Sequence, residues 1–368
     1  MKGDKKMFIV DSPSGSKMVV NGKEIINYSG CSYLGISDEE SIIDAGVKAL
    51  KQYGSLCQTP RHYGFNIPPY LEVVKSACDF FEVESATYFS TGYLFGNIVL
   101  QALKEEYDVI FLDEKAHYSI TDGAYACEKP IFRFKHTDSY DLEKVLENNL
   151  EKDQIPIIAT DGMFPTYGNI PPLNKYYEII SKYNGWIVVD ESHSFGTVGN
   201  TGKGAIEKFN LPRDRVIGGG SMAKAFCAYG GLVLGSKKVI DLVTSSAPFW
   251  GTSSGMSASA AMTAESLKYV KNHPELLIKL RENIHYLKKG LNDLGINVEM
   301  TETPVATFVI GDSIKMKSIQ KELFNKGVCI TYSNYIGAGK DGVLKFSIFA
   351  SHTKESNDKL LSLLKEYV

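Results

Sequence analysis

The stretch Ile187-Val-Val-Asp-Glu-Ser-His-Ser194 decides the predicted fold, because an apolar strand in it ends directly in a carboxylate and an imidazole. Similar short β-rich runs, separated by longer amphipathic segments, recur from about Ser85 to Gly235. The predicted strands are 86–90, 109–112, 131–134, 155–160, 186–190, 215–218 and 231–234. The amphipathic segments include 141–149 and 173–183. This alternation predicts an α/β fold with a mostly parallel central sheet covered by helices on both faces.

The sequence on either side of this region predicts two smaller units. Asn21-Gly22 lies between two β-rich runs and predicts a hairpin over 18–26. After Gly251 the chain is rich in Ser, Ala and Met, then shows a long helical run through Leu291, two or three strands and a terminal helix over 355–368. We therefore expect an N-terminal segment with a hairpin over 1–47, a large domain over 48–262 and a smaller α+β C-terminal domain over 263–368.

The composition is that of an ordinary globular protein. The 368 residues are 43% hydrophobic and 23% charged, and the net charge of -3 without a long Lys/Arg run argues against nucleic acid as the main partner. The six cysteines form no C-x-x-C pair, so we expect no metal site and no disulfide framework, but small core residues in a reducing compartment. No window approaches the ~20 apolar residues of a spanning helix, so we expect no transmembrane segment and a cytoplasmic protein.

Two segments carry residue types suited to pyridoxal phosphate. In Gly218-Gly-Gly-Ser-Met-Ala-Lys-Ala-Phe226, Lys224 could bond the cofactor aldehyde while its small neighbours let hydrogen-bond donors approach a phosphate. Asp190 could keep the ring nitrogen protonated, and His193 could reach the phenolic oxygen. Taken alone, Lys224 could instead be a solvated loop lysine, Asp190 a helix N-cap and His193 an ordinary histidine.

Two turns nearer the N-terminus fit the same site. Phe89-Ser-Thr-Gly-Tyr93 ends a predicted strand and opens a helix, whose free N–H groups would suit a phosphate. His117 also follows a predicted strand and precedes a helix, so its flat imidazole could stack on the pyridine ring. Taken alone, the His117 segment favours a structural role.

In this order, these segments resemble the α-oxoamine synthases, and the likeness runs from Tyr33-Leu-Gly35 to His352-Thr353. The resemblance implies a fold-type I pyridoxal-phosphate transferase. Its substrates would be an amino acid and an acyl thioester, carried by coenzyme A or an acyl carrier protein. The product would be an α-amino ketone, usually formed with loss of carbon dioxide. The resemblance also implies a homodimer with active sites at the subunit interface.

The resemblance assigns a role to each candidate residue. The implied catalytic residues are Lys224, His117, Asp190 and His193. The implied cofactor-binding residues are these four together with Thr91, Gly92, Tyr93, Ser221 and Thr252. In this assignment Lys224 bonds the cofactor and later removes the α-proton, and Thr252 reaches the phosphate from the neighbouring subunit.

The substrate side of the sequence departs from the family pattern. Lys345 stands where the family usually has a carboxylate-binding arginine, and lysine lacks the planar fork of arginine. Cys31-Ser32 precede Tyr33 where an asparagine is usual, and Arg61 is a candidate substitute for the lost contact. The candidate substrate residues are therefore Lys345, Ser32 and Arg61.

Two other functions stay open at this point. Another fold-type I activity, an aminotransferase or an aldol-type lyase, would use the same cofactor residues without a thioester. A regulatory subunit of a heteromeric synthase is the third interpretation, and the presence of Lys224 argues against it.

Overall fold

The computed structural model describes residues 8–59 and 63–367. The strands of these residues are β1 (Lys17–Val20), β2 (Lys23–Asn27), β3 (Ser85–Phe89), β4 (Val109–Asp113), β5 (Ile131–Phe134), β6 (Pro156–Asp161), β7 (Trp186–Asp190), β8 (Val216–Ser221), β9 (Gly231–Gly235), β10 (Val305–Phe308), β11 (Val328–Cys329), β12 (Thr331–Ser333) and β13 (Val343–Ser347). The α-helices are α1 (Glu40–Tyr53), α2 (Pro68–Phe81), α3 (Phe95–Ala102), α4 (Tyr118–Tyr125), α5 (Ser139–Asn149), α6 (Leu173–Ile180), α7 (Ala205–Lys208), α8 (Lys237–Thr244), α9 (Ala247–Gly251), α10 (Ser257–Asn272), α11 (Glu275–Asp293), α12 (Ser313–Asn325) and α13 (Lys354–Leu364).

The central sheet contains seven strands of the described chain, in the order β3-β9-β8-β7-β6-β4-β5. Strands β5, β4, β6, β7 and β8 pair in parallel, and β9 pairs antiparallel with both β8 and β3. The prediction of a mostly parallel α/β sheet is confirmed, and the seven predicted strands lie within one to three residues of the observed bounds.

Both faces of the central sheet are covered. Every residue of β4, β6 and β7 is buried, as parallel strands between two helical layers require. Successive side chains of a strand point to opposite faces, so β7 contributes Ile187 to one hydrophobic core and Val188 to another. The sheet is therefore a rigid layer that fixes the positions of the residues at its strand ends.

Three neighbouring parallel strands end in an aspartate. These residues are Asp113 on β4, Asp161 on β6 and Asp190 on β7, and Asp161 and Asp190 are direct partners in the strand pairing. Because parallel strands share their carboxyl edge, the three side chains meet at one end of the sheet. This is the edge where ligands of open α/β sheets bind.

The N-terminal hairpin is confirmed and has a third strand. Asn21 and Gly22 adopt positive φ angles of 49° and 74°, as a two-residue hairpin turn requires between β1 and β2. Strand β11 adds to β2 in parallel, pairing Val328 with Ile26. The first strands of the chain thus share a sheet with its last third.

The C-terminal third differs in detail from the prediction. The long helical run is two helices, α10 and α11, separated at His273-Pro274, where proline can begin a helix but cannot continue one. The described residues contain four strands after α11 instead of two or three, because β11 and β12 are too short to show a period. The terminal helix α13 ends at Leu364.

The cysteine prediction is partly wrong. The described cysteines are all free, but Cys127 is the one that is fully buried, and the others are partly exposed. The spacing of the cysteines along the sequence excluded a zinc or disulfide pattern, but it carried no information on how deeply each side chain is buried. As for membranes, no described helix has the length and apolar character needed to span one.

Candidate active site

A cavity of about 230 Å³ opens at the carboxyl edge of the central sheet. It is lined by residues that the sequence predicted as a site, namely Thr91, Gly92, Tyr93, His117, Asp190, His193, Ser221 and Lys224. Further lining residues, which the sequence analysis missed, are Ser119, Asp161, Ser192, Ala223 and Tyr229. Residues from five separate segments thus converge, because each segment lies at or just after the end of a strand.

Two buried carboxyl groups, Asp190 and Asp161, lie side by side in this cavity. Asp190 accepts hydrogen bonds from the Ser119 hydroxyl at 3.0 Å and from the Ser192 backbone N–H at 3.0 Å. Burial raises the pKa of Asp161 well above its usual range, and the charge of Asp190 raises it further. Burial thus favours the neutral form of Asp161, whereas Asp190 receives two hydrogen bonds that suit a carboxylate.

His117 is the N-cap of α4 and is fixed from both sides. Its backbone N–H donates to Asp161 Oδ2 at 2.8 Å, and its Nδ1 lies 2.7 Å from Ser119 Oγ. Burial lowers the pKa of His117, and Lys224 lowers it further, while Asp190 opposes this shift. The imidazole is thus presented to the cavity mainly in its neutral form.

His193 is hydrogen-bonded to a tyrosine that the sequence analysis did not assign, and its burial favours the neutral imidazole. Its Nδ1 lies 2.9 Å from the buried hydroxyl of Tyr33. Burial lowers the pKa of His193 well below its usual range, and the positive charges of Lys224 and Lys345 add to this effect. When Tyr33 donates to Nδ1, the Nε2–H of His193 is available to a ligand oxygen.

Lys224 lies in the loop between β8 and β9. The loop is closed by hydrogen bonds from Met222 N to Gly230 O at 3.0 Å and from Cys227 N to Lys224 O at 3.1 Å. The Lys224 side chain is partly buried and lines the cavity. Its ammonium has no hydrogen bond or ion pair within residues 8–59 and 63–367, so it is available for a ligand.

Gly92 brings two of the lining segments into contact. A Cβ added at Gly92 would lie 2.2 Å from Ser221 Cα and 2.6 Å from Ser221 N. The neighbouring atoms are backbone and cannot give way without a shift of β8. A residue without a side chain is therefore required where the 91–94 turn packs against the end of that strand.

We expect Gly92→Ala to lower the thermal midpoint of unfolding by several degrees and to weaken cofactor binding. The forced shift between two rigid segments costs about 1–3 kcal/mol, as overpacking does in protein cores. Differential scanning fluorimetry and cofactor titration would measure both effects. Gly251→Ala is the matched control, since its Cβ would meet nothing within 4 Å. Equal stability of the two variants would contradict the close packing.

The other predicted residues lie around the cavity or away from it. Thr252 lines a separate cavity of about 610 Å³ and donates its hydroxyl to Pro248 O at 2.8 Å. Ser32 Oγ lies 3.0 Å from Cys227 Sγ, close to the Lys224 loop. Arg61 lies outside the described residues.

Lys345 is a partly buried cation on β13. Burial lowers its pKa, and Lys224 lowers it further, while Cys31 opposes the shift. Its ammonium has no hydrogen bond or ion pair with any residue that the structure describes. A partly buried and unpaired cation near the cavity would favour an anionic ligand.

A family model described as aminotransferase class I and II matches residues 24–364. The chain belongs to this family. Within it, the 8-amino-7-oxononanoate synthase of Thermoanaerobacter pseudethanolicus is 30% identical, over 98% of this chain and 92% of that relative. The serine palmitoyltransferase of Bacteroides ovatus is 28% identical, over 96% of this chain and 90% of that relative.

Solved structures agree with the assignment of this chain to the class I and II aminotransferase family. The serine palmitoyltransferase of Sphingomonas wittichii superimposes with a TM-score of 0.91 at 23% identity, covering 98% of this chain and 91% of that one. A serine palmitoyltransferase solved with pyridoxal phosphate also gives 0.91, at 24% identity, covering 98% and 92%. These likenesses show the fold-type I architecture, and with the named relatives they confirm the resemblance to the α-oxoamine synthases.

Proposed function

We propose that this protein condenses an amino acid with an acyl thioester to give an α-amino ketone, releasing the carrier thiol and usually carbon dioxide. One observation carries the proposal: the ammonium of Lys224, which has no partner among the described residues, and the carboxylate of Asp190 line the same cavity without being paired to each other. Relatives named as 8-amino-7-oxononanoate synthase and serine palmitoyltransferase support this reaction class over other fold-type I activities. We also propose that the enzyme is a cytoplasmic homodimer, in which Thr252 of one subunit serves the site of the other.

The residues of the cavity fit pyridoxal phosphate. Asp190 offers a buried negative charge for the ring nitrogen, and Lys224 offers an unpaired amine for the aldehyde. The turn that begins at Thr91-Gly92 and the hydroxyl of Ser221 offer donors for the phosphate, and His117 offers a neutral ring for stacking. When bound, the cofactor supplies an electron sink that acidifies the α-carbon of the amino acid.

Each catalytic residue then has a defined task. With the amino acid bound, Lys224 in its unprotonated form would take the α-proton at Nζ as general base. Asp190 would face the ring nitrogen with its carboxylate, and the raised pKa of the neighbouring Asp161 limits repulsion between the two groups. His193 donates from Nε2 to an oxygen that gains negative charge, because Tyr33 occupies its Nδ1. Burial excludes water from these groups and strengthens their electrostatic effects.

Lys345 is our proposed contact for the amino-acid carboxylate, with Ser32 and Arg61 as further candidates. Lys345→Met should raise KM for the amino acid about 10- to 100-fold, the loss expected for a charge-assisted hydrogen bond. In the wild type, KM should also rise at alkaline pH, because burial lowers the pKa of Lys345 and the cation is lost below the pH where lysine normally titrates.

Lys345→Arg is the matched control, because arginine stays charged throughout this pH range. We expect its KM to lack the alkaline rise that the wild type shows. Steady-state kinetics of the three proteins across pH would measure the effect. An unchanged KM in Lys345→Met would indicate that a different residue binds the amino-acid carboxylate.

The reaction itself is tested by incubating the purified protein with pyridoxal phosphate, single amino acids and acyl-coenzyme A of several lengths. Free thiol release that depends on one amino acid, with an α-amino ketone detected by mass spectrometry, is the expected result. Amino-group transfer or aldol cleavage without thiol release would favour the other fold-type I activities. A protein that binds no pyridoxal phosphate would favour the regulatory-subunit interpretation.

A further inference from the structure

A chain of hydrogen bonds runs from a C-terminal loop to the floor of the cavity. The Tyr335 hydroxyl lies 2.6 Å from His117 Nε2, and His117 Nδ1 lies 2.7 Å from Ser119 Oγ. Ser119 Oγ in turn donates to Asp190 Oδ2 at 3.0 Å. Tyr335 belongs to the loop between β12 and β13, so a residue distant in sequence reaches the same histidine that the sequence predicted as the stacking residue.

The direction of donation along this chain follows from its acidic end. The carboxylate of Asp190 only accepts, so the single hydroxyl proton of Ser119 points to it. Ser119 Oγ must then accept from His117, which places the imidazole proton on Nδ1. His117 Nε2 is left as an acceptor, and the Tyr335 hydroxyl is the donor that fills it. The longer contact of 3.2 Å from Ser119 N to Nδ1 would serve the other tautomer.

Tyr335 is held in place by contacts of its loop and its ring. Ala338 N donates to Tyr335 O at 2.9 Å, which closes a turn. The Thr166 hydroxyl donates to Ile336 O at 2.6 Å and ties the loop to the segment after β6. The Tyr335 ring packs edge-on against Tyr118, with centroids 5.5 Å apart. Its hydroxyl is therefore aimed at His117 although the residue is 41% exposed.

We infer that Tyr335 is a positioning residue of this active site, which fixes the orientation and tautomer of His117 by donating to its Nε2. The inference rests on the proposed function only in that His117 is used there as the stacking residue. No local sequence pattern connects the two residues, which lie 218 positions apart. Through Ser119, the same series of hydrogen bonds also preserves a hydrogen bond to Asp190.

Removing the hydroxyl should change the titration of His117 in a defined direction. A donor to Nε2 stabilises the neutral imidazole, so its loss should raise the pKa of His117. The titratable and charged groups that face His117 are Tyr335, Asp190, Asp161, Lys224, Asp122 and His193, with Tyr93 and Tyr118 at its edge. A neutral hydrogen bond is worth about 0.5–1.5 kcal/mol, so the expected shift is about 0.5–1 pH unit.

The test compares Tyr335→Phe with Tyr118→Phe, the neighbouring exposed tyrosine whose ring contacts Tyr335. Both are prepared with ¹⁵N-labelled histidine and loaded with pyridoxal phosphate, and the His117 signal is assigned by its loss in His117→Asn. We expect Tyr335→Phe to raise the His117 pKa, to reduce the Nδ1–H tautomer and to lower kcat about 3- to 10-fold with similar cofactor content. Tyr118→Phe should match the wild type in all of these measurements.

A His117 titration and tautomer in Tyr335→Phe that equal those of the wild type would overturn the inference. Ser119→Ala removes the hydrogen-bond partner on the other side of His117 and should also shift the tautomer of His117. This variant decides the question if Tyr335→Phe does not fold. A wild-type protein that binds no pyridoxal phosphate would instead refute the proposed function. The histidine signals of that unloaded protein would still report whether Tyr335 fixes His117.

Discussion

Replacing Lys224 with alanine is expected to abolish turnover and to remove the visible absorbance band that pyridoxal phosphate shows when it is bonded to a lysine. In the proposed function Lys224 supplies both the amine for the aldehyde and the base for the α-proton, so its loss should lower kcat by at least about 10⁴-fold. Its ammonium is unpaired among the described residues and lies in a loop at the surface of the cavity, so the fold should survive. Absorbance from 300 to 550 nm and single-turnover kinetics would measure both effects.

The control for this variant is Lys238→Ala, an exposed lysine on α8 whose side chain is 72% accessible. It should keep the wild-type band and activity. Borohydride reduction followed by peptide mapping should attach the cofactor to Lys224 in both the wild type and this control. A visible band that persists in Lys224→Ala, or a label on another lysine, would refute the assignment.

Asp190→Asn should give the second largest effect, a fall in kcat of about 10²- to 10³-fold. Asparagine has nearly the same shape but no charge, so it cannot stabilise a protonated ring nitrogen. The amide oxygen can still accept from the backbone N–H of Ser192, and the amide N–H can donate to the Ser119 hydroxyl, so we expect the folded structure to be retained. Steady-state kinetics at saturating substrate, with the cofactor content measured separately, would test this expectation.

The matched control is Asp161→Asn, the direct strand partner of Asp190. Because burial and the charge of Asp190 raise the pKa of Asp161, its neutral form is favoured, and an amide resembles that form. Its effect on kcat should therefore stay below about tenfold. An effect as large as that of Asp190→Asn would indicate that the negative charge needed for catalysis lies on Asp161 instead.

Most of the sheet, and the convergence of the candidate cofactor residues on one cavity, could be predicted from the sequence, because both depend on local patterns. Each predicted apolar run between turn residues forms a strand. The polar residues that follow these runs lie at the carboxyl edge of the central sheet, as parallel strands require. Asp161 was missed although it follows a predicted strand like Asp190, since no second functional residue type stands beside it. Ser119 and Tyr335 were missed because their roles depend on distances between segments.

The substrate side could be predicted only in part, for a related reason. The position of Lys345 came from the resemblance alone, and nothing in its own strand showed that it would be partly buried and unpaired. Strands β11 and β12 are too short for a sequence period, so their pairing partners are decided by the completed fold. The proposed division at residues 47 and 262 remains a prediction, and β11 pairs with the N-terminal hairpin across it.

That pairing has a consequence for biosynthesis. Strand β2 lies within the first thirty residues, yet its parallel partner β11 is translated about 300 residues later. At roughly 5–20 residues per second, the hairpin leaves the ribosome about 15–60 s before its third strand exists. During this interval its free edge and the apolar side chains of Met18, Val20 and Ile25 have no partner from the C-terminal region. The nascent hairpin thus exposes an unpaired strand edge, a template for pairing with other chains, long before Lys224 has been synthesised.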